Sequence, residues 1–158
     1  MNHAANMNVI VRPAILADAG VICDFNRSMA KETEGKDLDP AIVQPGVLAM
    51  LADVHKGRYF VAEAHGQVVG QLGITFEWSD WRNGNFWWIQ SVYVAEAARR
   101  AGVFRKLYEH ILTEARQEAS VIGVRLYVEH GNLIAQATYR KMGMVMTGYQ
   151  VMEEVFND

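Results

Sequence analysis

The sequence has few of the features that mark secreted, membrane-bound or nucleic-acid-binding proteins. Cys23 is the single cysteine among 158 residues, so no disulfide can form within the chain, and this composition is typical of a reducing cytoplasm. No apolar run approaches the roughly 20 residues that span a bilayer, so we expect no membrane partner. The net charge is −3, which argues against binding nucleic acid through a broadly basic face.

Linkers, repeats and metal-ligand patterns are also missing from the sequence. The chain has three prolines and no Pro/Gly/Ser-rich stretch, so we predict a single domain over residues 1–158. Residues 1–7 lack the pattern of a signal peptide, and we expect a loose leader there. The histidines do not show the spacing of metal ligands, so no metal is expected. Cys23 lies in an apolar run, which favours a buried small side chain over a nucleophile.

The first third of the chain predicts one strand followed by helices. Residues 9–14 alternate between apolar and polar, which is typical of a strand, and residues 16–32 predict a helix with Asp18 as its cap. Residues 40–57 also have a helical pattern. Pro45, which glycine follows, predicts that this second helix is short or broken.

The middle of the chain predicts three consecutive strands. Residues 58–78 form two strand-like runs around His65–Gly66, which is a hairpin turn signal. Asn83–Gly84 is a second turn signal. It leads into the apolar and aromatic run 86–94, which predicts a strand buried on both faces.

The last third returns to alternating helices and strands. An amphipathic helix is predicted from Gly102 onward, because apolar residues recur there at steps of three and four. Residues 123–130 predict a strand, and residues 132–143 a helix with Asn132 as a possible cap. Residues 144–156 predict one or two closing strands.

This order of elements predicts an α/β fold with a mixed sheet and helices on both faces. The strand at 86–94 and the strand at 123–130 are separated by one helix. A parallel pair with a right-handed crossover is the expected connection between them.

The turn between strand 86–94 and the following helix has the composition of an anion site. The N-terminus of a helix offers unpaired N–H groups and the positive end of a dipole, where phosphate binds well. Gly102 permits a close backbone approach, while Arg99, Arg100 and Arg105 add positive charge. An arginine pair on a solvated surface is the alternative interpretation of this local pattern.

Two segments resemble the signatures of the GCN5-related N-acetyltransferases. The stretch "VYVAEAARRAGVFRKLY" is similar to the cofactor signature of a strand, Arg or Gln, two residues, Gly, one residue, Gly or Ala, and a helix; Arg99 and Gly102 match it. Phe104 stands where the small residue is usual, and its side chain is expected to point into the core. "NLIAQATYRKMGM" resembles a later signature of the family. The matching residues there are Asn132, Ala135, Tyr139, Gly143 and Met144.

The resemblance implies a fold and an activity. The fold would be a mostly antiparallel sheet of six to seven strands with one parallel pair splayed at the cofactor site. The activity would be acetyl-CoA-dependent transfer of an acetyl group to the primary amine of a small molecule, such as an amino acid or a polyamine, by a homodimer. Two alternatives stay open: acetylation of a protein N-terminus or lysine, and a CoA-binding regulatory module without catalysis.

The resemblance also implies roles for particular residues. Tyr139 would be the acid that protonates the leaving thiolate, since a phenol with a pKa near 10 is protonated at neutral pH. The diphosphate would sit on the N–H groups of residues 100–105, and the pantetheine arm on the backbone of Val92 and Val94. The full set of cofactor residues is Val92, Tyr93, Val94, Arg99, Arg100, Ala101, Gly102, Val103, Phe104, Arg105, Asn132 and Tyr139.

The acceptor side is less defined by the sequence. We expect the amine to meet Glu32, Trp81, Gln90 and Glu129, because acidic and aromatic groups attract and enclose a cation. A solvated acidic loop is the alternative for the region around Glu32. The base that takes the proton of the amine stays open: some relatives have a carboxylate on the strand that here offers Gln90 and Ser91. The other candidates are Glu77, Glu129, His130 or water.

Overall fold

The computed structural model describes residues 7–156. These residues form two compact units, divided between Leu126 and Tyr127, and each unit is described by itself. The expected leader at residues 1–7 lies outside the described residues except for its last position. A single domain over the whole chain stays a prediction.

The first unit is built on one five-stranded sheet in the order β1-β2-β3-β4-β5. Neighbouring strands are antiparallel except for β4 and β5, which are parallel, so the predicted mixed sheet is confirmed. The expected number of six to seven strands is wrong for residues 7–156. The five strands are β1 (Val9–Pro13), β2 (Arg58–Ala64), β3 (Gln67–Ser79), β4 (Gly84–Val94) and β5 (Val121–Leu126).

Helices cover both faces of this sheet, as predicted. The helices are α1 (Ala19–Glu34), α2 (Pro40–Ala52) and α3 (Val103–Gln117). Helices α1 and α2 pack on one face around Tyr59 and Val61. On the other face His110 of α3 lies 5.4 Å from Phe60 between ring centroids. Successive strand residues point to opposite faces, so Tyr59 and Val61 face α1 and α2, whereas Phe60 between them faces α3.

The predicted cap of α1 is wrong. Asp18 occupies the residue before α1, but its side chain does not bond to that helix. Its carboxylate instead accepts from the Ile15 N–H and from Arg12, both at 2.8 Å. The hydrogen bond from Arg12 is the main cause of the lowered pKa of Asp18. The buried carboxylate therefore joins β1 to the short 3₁₀ turn Leu16–Asp18.

The second helix was predicted to be short or broken. It is continuous through Pro45, so a break there is wrong, but it ends at Ala52 and is shorter than the pattern over residues 40–57. Proline removes one intrahelical hydrogen bond, but the rest of α2 is well supported. Asp39 caps the helix by accepting from the Ala41 N–H at 2.9 Å, and Pro40 occupies the first turn, where its missing donor costs nothing. Val47 is buried in the core shared with α1.

The predicted turns position β2, β3 and β4. His65 and Gly66 have φ angles of 51° and 75°, which is the conformation of a tight two-residue hairpin. Asn83 has a φ of 48° and precedes the first residue of β4. These turns confirm the three consecutive strands and align their register.

The second unit contains helix α4 (Leu133–Lys141). The Asn132 side chain caps it by accepting from the Ala135 N–H at 3.0 Å, which confirms the expected cap. Gly143, with a φ of 96°, follows the last turn and donates to the Arg140 carbonyl at 3.0 Å. This helix has the start and the end that its sequence predicts.

The closing strands predicted at residues 144–156 are wrong, since the structure assigns no strand there. Apolar side chains in this segment are exposed, for example Val145 at 83% and Met152 at 96%. The Tyr149 N–H donates to the Thr147 hydroxyl at 3.3 Å, which is a local turn. An apolar pattern supplies side chains for a sheet, but a strand also needs a neighbouring backbone to bond with.

The strand predicted at 123–130 is displaced toward the N-terminus. It begins at Val121 and ends at Leu126. The parallel pairing of β4 with β5 extends only from Asn85 to Ile89 on β4. The later apolar residues therefore lie beyond the last pair, and the pattern alone does not show where pairing stops.

Candidate functional site

The C-terminal part of β4 has an open edge. Pairing between β4 and β5 ends at Ile89 and Leu126, whereas β4 continues to Val94 while paired with β3. In residues 7–156 this last part of β4 has no strand on its second side. Such an edge exposes backbone N–H and C=O groups, so the parallel pair is open as the splayed-pair prediction requires.

A bulge bends β4 at the beginning of this open edge. The register with β3 shifts between Gln71 and Gly73, and Ser91 has a φ of 51°. The fully buried Gln71 side chain donates through Nε2 to the Ser91 carbonyl at 3.1 Å and to Asn26 of α1 at 2.7 Å. Gln71 therefore holds the bulge against α1. This role of Gln71 was not predicted from the sequence, although a glutamine within an apolar strand is itself a signal.

The turn between β4 and α3 fits an anion. Gly102 has a φ of 76° and precedes α3, and a Cβ added there would meet no atom within 4 Å. The first bond of the helix runs from the Lys106 N–H to the Gly102 carbonyl at 3.1 Å. The N–H groups of Val103 and Arg105 precede that bond and take no part in it. The residues present therefore fit the diphosphate of a nucleotide cofactor.

Arg99 is already bound within the protein. Its Nη2 lies 2.7 Å from Glu32 Oε2, and its Nε donates to the Val94 carbonyl at 3.0 Å. The Tyr93 hydroxyl donates to Glu32 Oε1 at 2.7 Å. The structure thus joins an expected acceptor residue, Glu32, to two expected cofactor residues, Tyr93 and Arg99. The hydrogen bond from Tyr93 is the first cause, and that from Arg99 the second, of the lowered pKa of Glu32.

The other residues of the turn point in different directions. Arg100 is exposed and has a φ of 65°. Arg105 pairs with Glu109 on the solvated face of α3 at 3.3 Å, while Val103 is buried. Phe104, expected to point into the core, is half-buried, and its ring centroid lies 6.0 Å from that of Tyr108. Ala101 is half-buried and Val92 lies on the open edge of β4.

Two expected acceptor residues lie on the sheet and on its β3–β4 turn. Gln90 is half-buried on β4, and its Nε2 donates to the Thr75 hydroxyl at 2.8 Å. Trp81 is 87% exposed in the turn, where its backbone N–H donates to Asp80. The amide of Gln90 is oriented by β3, whereas the Trp81 ring faces solvent.

The second unit holds the remaining predicted residues. Glu129 precedes α4, and its carbonyl accepts from the Asn132 N–H at 3.0 Å. Tyr139 is half-buried on α4, with its carbonyl accepting from the Met144 N–H at 3.0 Å. The buried Gln136, which the sequence analysis missed, donates to the Glu129 carbonyl at 3.2 Å. This amide holds the segment before α4 in place.

A charged pair on the sheet was also only partly foreseen. Glu77, one of the candidate bases, accepts from Trp88 Nε1 at 3.2 Å and from Arg125. The Arg125 guanidinium lies 3.6 Å from the ring centroid of Phe86. Both oxygens of Glu77 are therefore occupied by donors, which does not suit a base. Arg125 was not predicted from the sequence, because its partners come from other strands.

An open cavity of about 450 Å³ lies along α1 and the following loop. It mixes three carboxylates with two cations, and Glu32 links it to the Arg99 cluster described above. Its lining residues are Asp24, Arg27, Ser28, Lys31, Glu32, Asp37 and Leu38. Cys23 lies outside this lining, and burial is the main cause of its raised pKa, which disfavours the thiolate needed for a nucleophile.

Residues 7–156 contain neither a cluster of metal ligands nor a membrane-spanning helix. No group of three or more His, Cys, Asp or Glu side chains in this range could hold a metal ion. No helix in the same range is both long and apolar enough to cross a membrane.

Comparisons with known proteins agree on one family. The sequence model of the acetyltransferase (GNAT) family matches residues 24–144. A structure described as a possible acetyltransferase from Clostridium difficile 630 is 45% identical with a TM-score of 0.89, and the match covers 94% of this chain and 99% of that one. No curated protein matches the chain.

More distant structures share the fold. A GCN5-related N-acetyltransferase from Ralstonia eutropha JMP134 is 19% identical with a TM-score of 0.73, covering 93% of this chain and 99% of that one. A predicted acetyltransferase with acetyl-CoA from Clostridium acetobutylicum is 17% identical with a TM-score of 0.74, covering 92% and 96%. With the family match over most of its length, the chain belongs to the GNAT family and is an acyltransferase of the N-acetyltransferase type.

Proposed function

We propose that this chain transfers the acetyl group of acetyl-CoA to the primary amine of a small molecule, such as an amino acid or a polyamine. The observation that carries the proposal is the open edge of β4, which leads within ten residues into the turn at Gly102. Together they offer backbone partners for an amide-containing arm and an N–H cluster for a diphosphate. One of the structures that share this fold is described as a predicted acetyltransferase with acetyl-CoA.

The proposed cofactor contacts use the backbone more than the side chains. The N–H groups at the start of α3 hold the diphosphate, and the open edge at Val92 and Val94 holds the pantetheine arm. The Val94 carbonyl already accepts from Arg99, so Val94 contributes its N–H. When bound, acetyl-CoA supplies a thioester whose carbonyl carbon can react with an amine.

The transfer forms a bond between the amine nitrogen and the acetyl carbon and breaks the carbon–sulfur bond. We propose that Tyr139 gives its hydroxyl proton to the leaving sulfur. The proton of the amine is removed by a water molecule, which is either free in the site or hydrogen-bonded to Gln90. Asn132 supports this arrangement by capping α4. The role of Tyr139 rests on its position in the family signature.

Charge supports an amine as the acceptor. Among the carboxylates that line the cavity along α1, Glu32 pairs with Arg99 and Asp37 with Lys31. Asp24 has no ion pair in residues 7–156, and a carboxylate raises the local concentration of ammonium groups. A homodimer and a cytoplasmic location belong to the same proposal and rest on the sequence resemblance and the composition.

Two measurements test the proposed function. Calorimetry with CoA is expected to show binding at one site per chain, and thiol release from acetyl-CoA is expected to depend on an added amine. Binding of CoA with no amine-dependent thiol release, across amino acids, polyamines and peptides, would contradict the transfer. Thiol release with peptides alone would contradict the small-molecule acceptor.

A further inference from the structure

We propose that Arg125, held in place by Glu77, binds a carboxylate of the acceptor, so that the substrate is an amine carrying a carboxylate several bonds away. This inference rests on the proposed function and narrows its substrate class. It assigns Arg125 a binding role and Glu77 a positioning role.

The Arg125 guanidinium is held in one orientation and keeps donors that are not used within the protein. Its Nη1 donates to Glu77, while Nε and Nη2 have no acceptor in the part of the chain that the structure describes. The group lies over the Phe86 ring at 3.6 Å, and stacking of this kind orients the guanidinium plane. An oriented guanidinium with two unused donors is suited to bind a carboxylate.

Glu77 positions Arg125 and is not itself suited to bind the amine of the acceptor. Each of its oxygens accepts one hydrogen bond, from Arg125 or from Trp88 Nε1. The charge of Arg125 offsets that of Glu77, so the pair presents no net negative charge to an incoming ammonium group. The side chain is 43% exposed, and that of Arg125 is 24% exposed, so solvent reaches the pair. The unused donors belong to the cation, which favours an anionic group on the acceptor and disfavours a polyamine.

Arg125 lies on the same face of the sheet as the residues at the beginning of the open edge. Thr75 is opposite Trp88, and Trp88 is opposite Arg125 in the register. Opposite residues point to the same face, as do residues two apart on a strand. Gln90 therefore shares this face with Arg125, and Tyr59, opposite Gly73, continues the same face toward α1. The guanidinium faces the same side as the beginning of the open edge.

The spacing along β4 limits the length of the acceptor. Trp88, level with Arg125, is four residues from the proposed cofactor contact at Val92, a span of at most about 13 Å because the bulge at Ser91 shortens the strand. A contact of about 3 Å at each end leaves at most roughly 7 Å between the carboxylate and the amine. The amine and carboxylate of an α-amino acid share one carbon and are too close together. A terminal amine on a chain of about five carbons fits this distance.

The experiment compares two acceptors that differ in one charge. We expect wild type to acetylate 6-aminohexanoate with a KM about ten- to hundred-fold lower than that for 6-aminohexanamide. Arg125→Gln is expected to raise the KM for the acid toward that for the amide. The KM for the amide is expected to be the same as in wild type. Glu77→Gln is expected to weaken the same preference, because it frees the guanidinium to move without removing it.

The chain offers a matched control at Arg58. This residue also pairs with a carboxylate, Glu118 at 2.7 Å, and lies 5.4 Å from the Trp87 ring centroid. Its neighbour across the strand pair is Ile74, which alternates with Thr75 and so points to the other face. Arg58→Gln is therefore expected to change stability as Arg125→Gln does and to keep the full preference for the acid.

The outcomes separate this inference from the proposed function. Equal KM values for acid and amide in wild type, or a preference that survives in Arg125→Gln, would overturn the carboxylate site and leave acetyl transfer standing. Binding of CoA without transfer to any amine would overturn both. Should Arg125→Gln fail to fold, as judged by its thermal unfolding, the KM ratio of Glu77→Gln decides the question in the same way.

Discussion

Arg99 at the start of the cofactor turn lies 2.7 Å from Glu32 near the C-terminal end of α1. The carboxylate neutralises a cation beside the proposed diphosphate site. We predict that Glu32→Gln raises the affinity for CoA by about two- to five-fold, because it removes a negative charge that repels the ligand and competes for Arg99. Calorimetry at low and high salt measures the effect, which should shrink as salt increases.

Glu34→Gln is the control for this change. Glu34 also pairs with a cation, Lys36 at 2.7 Å, and is likewise exposed on the same helix. This variant should leave CoA affinity unchanged. A lower affinity in Glu32→Gln would instead show that the carboxylate organises Arg99 for the ligand.

Gly102→Leu is predicted to weaken CoA binding by at least about ten-fold. The added side chain would occupy the space through which a diphosphate approaches the backbone. Gly35→Leu is a matched control, because Gly35 has a φ of 66° against 76° for Gly102, and neither has an atom within 4 Å of an added Cβ. Both variants should lose about 1–2 kcal/mol of unfolding free energy through backbone strain.

Calorimetry and thermal unfolding separate the two effects of these glycine variants. Only Gly102→Leu should lose affinity for CoA. Equal affinities of the two variants would place the diphosphate somewhere other than the start of α3.

Tyr139→Phe is predicted to lower kcat by about hundred-fold while CoA affinity changes little, because the phenol is proposed to act on the leaving sulfur. Thiol release under saturating acetyl-CoA measures kcat. Tyr149→Phe provides a control in the same unit, since Tyr149 is 80% exposed. Unchanged turnover in Tyr139→Phe would remove this residue from the acid role.

The pair formed by the buried Asp18 and the half-buried Arg12 predicts a dependence of stability on pH. The hydrogen bond from Arg12 lowers the pKa of Asp18 from its ordinary value of 3.8. A carboxyl whose pKa is lower in the folded protein stabilises the fold above its unfolded pKa, and this contribution is lost as the pH falls through the folded pKa.

Asp18→Asn should therefore lower the unfolding free energy by about 1–3 kcal/mol at pH 7. The difference from wild type should narrow as the pH falls below 3.8. Denaturant titrations between pH 7 and pH 2 measure it. Asp37→Asn is the comparison, because Asp37 forms an exposed pair with Lys31 at 2.9 Å. This variant should lower the unfolding free energy by less than about 1 kcal/mol.

Local patterns predicted the elements around the site well. The turn at His65–Gly66, the start of α3 after Gly102 and the cap of α4 at Asn132 are all present as predicted. Each depends on the conformational preferences of a few adjacent residues, which a sequence records directly. The same reasoning failed at Pro45, because the packing of α2 outweighs the loss of one hydrogen bond.

The pattern at residues 144–156 failed for a different reason. Alternating apolar residues show that a segment is able to form a strand. They do not show whether a neighbouring backbone is present to pair with it. The register shift that opens β4 is similarly invisible in the sequence, since it depends on how β3 and β5 align with that strand.

The sequence by itself determined the family, the order of the elements from β1 to α4 and the N–H cluster at Gly102, because these depend on residues close together in the chain. The tertiary structure decided the pairs that surround the site. Arg99 reaches Glu32 across 67 positions, and Arg125 reaches Glu77 across 48. Such pairs depend on helix packing and strand register, so the charge available to each substrate emerges only when distant segments meet.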